Sequence, residues 1–130
     1  MYAALADAAA MHYDEAALRQ HAPLAEELAV RHGHTLYQAV THRAWGVAHR
    51  LAGEFDNAQA RLTQALALFR ELGARWQTGR TLYELGLLAA AQGNADEARH
   101  CFTGALAAFE AMKAAPDVAR TWSTLATLGQ

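Results

Sequence analysis

The sequence predicts an all-α fold, an α-solenoid of helix-turn-helix repeats with about seven helices, and three observations carry that expectation. Sliding the 130-residue chain by 40 residues superposes Gly46 on Gly86, Gly53 on Gly93, Ala58 on Ala98, Ala65 on Ala105 and Phe69 on Phe109, and Thr41, Thr81 and Thr121 extend the register to a third copy. A fixed period of about 20 to 50 residues marks a repeat architecture. Within each copy, two helical patterns flank a short polar break. Composition agrees: the chain is 53% hydrophobic, much of it alanine, the best helix former, while the β-branched residues that favour strands are sparse.

Taken in order, the helical patterns run over about 2–11, 15–32, 35–52, 56–72, 75–92, 95–113 and 116–128, with ends good to two to four residues. The first has only a weak amphipathic pattern and no evident cap. Gly33 closes the second, in which Pro23 either kinks the helix or marks an earlier break. Gly73 closes the fourth. Leu82, Leu85, Gly86 and Ala89 share one face of the fifth, and Ala98, Phe102, Ala105, Leu106 and Phe109 share one face of the sixth. Between these two lies Gln92-Gly93-Asn94-Ala95-Asp96-Glu97, with a Gly suited to a left-handed C-cap, an Asn able to cap the next helix and acids for its first turn. Gly53-Glu54-Phe55-Asp56-Asn57 is the equivalent break one copy earlier. Pro116-Asp117 opens the last helix, where Pro is tolerated.

A formal net charge of -2 with acids and bases interspersed gives no global basic field, which argues against nucleic acid as a partner. No apolar run approaches the roughly 18 residues that would cross a bilayer, and the N-terminus lacks a basic stretch followed by an apolar one. A cytoplasmic chain without a membrane partner is the expectation. The single thiol, Cys101, cannot close an internal disulfide. No base is patterned beside it, and His100 points about 100° away on a helix, so it reads as a structural cysteine. His42 and His49 are two turns apart, about 10 Å along a helix, too far to share one metal ion. They read as neutral imidazoles packed beside Trp45. No phosphate-binding loop, dinucleotide fingerprint or serine elbow is present. The expectation is a protein that is not an enzyme, with no cofactor, no metal and no catalytic residues.

On these residues the chain resembles the tetratricopeptide repeat family, whose signature is a large apolar residue, Leu-Gly and an aromatic on the first helix, then Ala, an aromatic and Ala on the second. Leu82, Leu85, Gly86, Ala89, Ala98, Phe102 and Ala105 match it. The preceding copy matches as His42, Trp45, Gly46, His49, Ala58, Leu62 and Ala65, with two histidines where large apolar residues are usual. The period of about 40 exceeds the usual 34 and resembles the helical regions of bacterial regulatory ATPases, transcription activators and cyclase-associated ATPases. The resemblance implies a right-handed superhelix forming one domain, 1–130: a degenerate first repeat over 1–33, repeats over 34–73 and 74–113, and a C-terminal capping half-repeat over 114–130, its stripe of Trp122, Leu125 and Leu128 packed on the preceding hairpin.

It also implies a non-catalytic protein-binding scaffold with a concave groove. Carried onto this register, the groove positions are Val40, Arg43 and Val47; Arg80, Tyr83 and Leu87; and Arg120, Ser123 and Thr127, with Arg50 one turn further along. Arg43, Val47, Arg50, Arg80, Tyr83, Leu87 and Arg120 are the candidate peptide contacts. Guanidinium pairs bidentately with carboxylate, so an acidic peptide or protein segment suits them. Set against this, arginines on helix faces commonly pair with nearby acids such as Glu54, Glu84 or Glu110 and solvate the surface. Two other readings stand beside groove binding. The chain is a regulatory or oligomerisation segment of a larger signalling ATPase, cyclase or transcription regulator, or it holds a small ligand between hairpins near His42, Trp45 and His49. Residues 2–11 are either a cut edge of a larger array or a homodimerisation surface, so a monomer and a homodimer through the solenoid ends are both open.

Overall fold

A computed structural model describes residues 2–128 as seven α-helices: α1 (Tyr2–Met11), α2 (Glu15–Arg31), α3 (Thr35–Leu51), α4 (Phe55–Glu71), α5 (Arg75–Ala91), α6 (Ala95–Ala111) and α7 (Ala115–Leu128). From α3 onward each helix starts 20 residues after the one before it. The expected boundaries agree to within two residues, and no strand occurs among the described residues. Pro23 sits inside α2 without ending it; its ring costs the helix one backbone donor, the bond otherwise made to the carbonyl of Arg19.

One joint recurs six times. The residue two beyond each helix has positive φ: Tyr13 (54°), Gly33 (61°), Gly53 (77°), Gly73 (67°), Gly93 (79°) and Lys113 (55°). At five of the six the next amide then reaches back to a carbonyl of the last turn, as in His34 N to Ala29 O at 3.0 Å, Glu54 N to His49 O at 2.8 Å and Ala114 N to Phe109 O at 2.9 Å. This is the six-to-one bond that closes a helix when the residue before it is left-handed. Glycine bears that conformation without strain, whereas Tyr13 and Lys113 bear it at a cost. The donor of the returning bond also precedes the next helix, and where its side chain suits, it caps: Asp14 accepts from Ala17 N at 3.1 Å, and Asn94 from Glu97 N at 3.2 Å.

The chain divides into two compact units, Met1–Leu72 and Gly73–Gln130. In the first, α3 packs against α1, α2 and α4. Its core is set by Leu18, Ala22, Ala25 and Ala29 of α2 and by Ala58, Leu62, Ala65 and Phe69 of α4, two quartets with the same 4, 3, 4 spacing that keeps them on one helical face. A Cβ on Gly46 would lie 2.5 Å from Leu62 Cγ, so α3 and α4 approach over a residue that must lack a side chain.

In the second unit, α6 packs against α5 and α7, and Ala98, Phe102, Ala105 and Phe109 form the equivalent quartet. Gly86 faces the Phe102 ring, where an added Cβ would sit 2.6 Å from Cε1. Leu125 and Leu128 of α7 pack against this core, but Trp122 is 56% exposed, which corrects the expected three-residue stripe. The physical reason lies in the register. Trp122 matches Leu82, whose Cδ1 lies 3.3 Å from a Cβ placed on Gly104 of α6, and among the described residues α7 has no following helix to cover the same face. Thr41, Thr81 and Thr121 are fully buried; each hydroxyl donates to its own helix four residues back, as Thr81 does to Gln77 O at 2.8 Å and Thr121 to Asp117 O at 2.7 Å, leaving no orphaned polar group.

Candidate functional site

In the second unit, α5 and α7 bring four of the candidate contacts together. The Arg80 guanidinium lies 5.1 Å from the Trp76 ring centroid, and that of Arg120 lies 5.1 Å from the Tyr83 centroid. Cation–π contact of this kind keeps a long side chain in one place. Asp117 ties the two pairs together: one carboxylate oxygen accepts from Trp76 Nε1 at 2.9 Å, the other from Arg120 at 2.6 Å. The Tyr83 hydroxyl is 2.8 Å from that of Thr124, and its ring leans on Phe102 at 5.2 Å. Arg80 and Tyr83 are each only 7% exposed, and Leu87 packs partly into the core. Arg120 keeps half its side chain in solvent. The arrangement therefore offers one accessible, oriented guanidinium above a braced aromatic floor.

The first unit holds its candidates differently. Arg43 is fully buried, with its guanidinium 3.0 Å from Asp7 and 4.9 Å from the Phe69 ring centroid. Val47 is 1% exposed, inside the core that α1, α2 and α3 share. Both are corrected from open contacts to interior residues: α1 lies against α3 and covers the face they occupy. Arg50 remains partly accessible, 5.0 Å over the ring of Tyr13, and Glu54 pairs with Arg19 and His49 rather than with a candidate arginine.

His42, Trp45 and His49 do pack together with polar partners. Arg61 donates to His42 Nδ1 at 3.0 Å, pairs with Glu26 and lies over Trp45 at 5.5 Å. Trp45 stacks on His49 at 5.6 Å, and His49 Nδ1 meets Glu54 at 2.8 Å. Burial and the Arg61 charge lower the His42 pKa, only partly offset by Glu26. A neutral imidazole with its proton on Nε2 is what a donating guanidinium requires at Nδ1. The hydrogen bonds from His49 and Arg19 hold Glu54 below the usual carboxylate range. A cavity of about 480 Å³ borders His42 but opens toward Glu26, Val30, Gln38, Thr41, Arg61 and Gln64, not toward Trp45 or His49. Arg61 and Asp7 were not singled out in the sequence, although Asp7 is the one charged residue in the alanine-rich first helix.

Cys101 is buried, and desolvation together with the Glu97 carboxylate raises its thiol to about 11, far from the thiolate that nucleophilic chemistry needs. Among the described residues no three His, Cys, Asp or Glu side chains gather as a metal would require, and no helix is long and apolar enough to cross a membrane.

Comparison with known proteins agrees with the repeat fold. A family model for the tetratricopeptide repeat matches residues 37–111, more than half of the chain and most of α3 to the end of α6. The chain belongs to the tetratricopeptide repeat family. Repeats of this family generally mediate protein–protein interaction and are typically non-catalytic. No curated protein matches the chain.

Proposed function

We propose that the protein is a non-catalytic scaffold whose second unit holds an acidic peptide or protein segment, with Arg120 as the accessible contact and Tyr83, Arg80 and Leu87 bracing it from α5. The observation that carries the reading is the half-exposed Arg120 guanidinium, held over Tyr83 and aimed by Asp117. A carboxylate arriving there meets a preorganised fork at little entropic cost. Selection from a randomised peptide display library tests it. The expected winners are rich in Asp and Glu, and Arg120→Glu weakens them about tenfold while the melting temperature holds. Winners without acidic character, or binding indifferent to Arg120→Glu, contradict it.

A second reading, association through the end of the array as part of a regulatory or signalling assembly, is favoured by one observation. Ala119, Trp122 and Ala126 of α7 match Gly79, Leu82 and Gly86 of α5, the face against which α6 packs, yet Trp122 is exposed. Light scattering decides between them. A dimer that Trp122→Lys converts to a monomer supports end-to-end association; a monomer in both forms leaves the peptide-holding surface as the function.

A further inference from the structure

Equivalent positions in the three hairpins do not carry equivalent bulk. Where α4 and α6 bury the rings of Phe69 and Phe109, α2 has Ala29. The facing helix shows the same deletion: Ala3 of α1 stands where α3 has Arg43, 4.9 Å over Phe69, and where α5 has Tyr83, 5.2 Å from Phe102. Two large groups are therefore missing from one corner of the first hairpin, while the backbone period that spaces the helices is unchanged. A backbone spaced for rings but furnished with methyl groups leaves a void.

That void is present. A half-open pocket of about 250 Å³ is lined, among the described residues, by Ala3, Ala25, Leu28 and Ala29 and by the exposed His32, His34 and Tyr37. Its floor is methyl groups, and one wall is a stacked pair, the His34 and Tyr37 rings 4.0 Å apart and 15° from parallel. Apolar cavities of about 150 Å³ already accept benzene, so this one is large enough for a ring. The stacked wall supplies the flat π-surface on which an aromatic guest packs best.

We propose that this cavity is a socket for one neutral aromatic ring, the phenyl-sized side chain of the bound segment, which takes the place that Phe69 and Phe109 fill from within the chain in the later hairpins. The proposal rests on the reading that the protein holds peptide segments, and it adds a specificity pocket within the first unit. A free aromatic molecule has the same chemistry, so the probe itself is small: N-acetyl-phenylalanine amide, with N-acetyl-leucine amide as the control.

The test is a titration followed by amide NMR. Phenylalanine amide is expected to bind saturably, with a dissociation constant on the order of 1 mM for a single buried ring, shifting the amides of Ala25, Leu28, Ala29 and Tyr37; the leucine amide binds several-fold more weakly. Ala29→Phe, which plugs the socket from inside, abolishes the shifts. Ala3→Leu narrows it from the facing helix and serves the same purpose should the first variant fold poorly. No saturable shift at these amides, or shifts that persist in both folded variants, overturns the socket. Display-selected peptides that still depend on Arg120 while the ring probe fails leave the peptide-holding reading intact and remove only this pocket. Selected peptides that carry an essential Phe, lost from binding in Ala29→Phe, place the ring on a partner segment; peptides indifferent to Ala29→Phe while the amide probe binds restrict the socket to free small aromatics and contradict the proposal as stated.

Discussion

The first and third hairpins share a backbone period and almost nothing else in their interiors. At matching points α2 carries Leu18, Ala22, Ala25 and Ala29, and α6 carries Ala98, Phe102, Ala105 and Phe109. The third hairpin is held by rings set against glycines, Phe102 on Gly86 and Phe109 on Gly79. The first hairpin and its neighbour α3 rely instead on small residues and on charge, with Arg43 buried against Asp7 and Arg61 joined to Glu26 and His42. What the pair teaches is that this repeat specifies spacing through its joints, where a left-handed residue recurs every 20 positions, and leaves each interior free to be filled by rings, by ion pairs or incompletely.

Truncation at one register position probes that difference most strongly. Phe102→Ala is expected to cost about 4 kcal/mol, Leu62→Ala about 3 and Ala22→Gly about 1, read by hydrogen exchange of the amides in α6, α4 and α2. Equal losses at all three would break the comparison. Next in size is the buried pair: Asp7→Ala removes the carboxylate beside the buried Arg43 guanidinium and should cost about 2–3 kcal/mol in urea unfolding, whereas Asp7→Leu with Arg43→Met restores most of it. A negligible effect of Asp7→Ala would show that charge does not hold the first unit.

Most of the fold was legible because helix starts and stops are local. Gly33, Gly53, Gly73 and Gly93 announce their joints, Asn94 announces its cap, and Gly46 and Gly86 announce close helix contacts, all within a few residues. The site was less legible because it is made by contacts distant in sequence. Arg43 reads as a surface cation until its partner is found 36 residues away in Asp7, and the family's groove positions give no hint that α1 covers it. Trp76 and Asp117 are joined across 41 residues; each alone reads as an ordinary helix residue. Trp122 reads as core by period alone, since periodicity marks an apolar face without saying whether a helix lies on it. The missing bulk at Ala29 was visible in the alignment with Phe69 and Phe109, but alanine in an alanine-rich chain gives no signal of a cavity.

Smaller effects sharpen the comparison at the joints and in acid. Lys113→Gly relieves a left-handed lysine and should add about 0.5–1 kcal/mol of stability; Tyr13→Gly should gain less, because it also removes the ring beneath Arg50. Matching gains would mean that the ring contributes nothing. In acid, the first unit should respond through His42. Its folded-state pKa lies below 6.5, so the unfolded chain takes up the proton first, and stability falls as pH drops below about 6.5 until the folded pKa is passed. His42→Asn keeps an acceptor for Arg61 without titrating. It should flatten that part of the curve, while an unchanged slope would place the titration elsewhere.

The most direct single measurement is a double-mutant cycle between Arg120 and the acidic residue of a display-selected peptide, read by calorimetric titration of wild type, Arg120→Met, the neutralised peptide and both together. A coupling of about 1 kcal/mol that shrinks with added salt is the predicted result. Zero coupling would contradict it and reduce Arg120 to a packing partner of Asp117 and Tyr83.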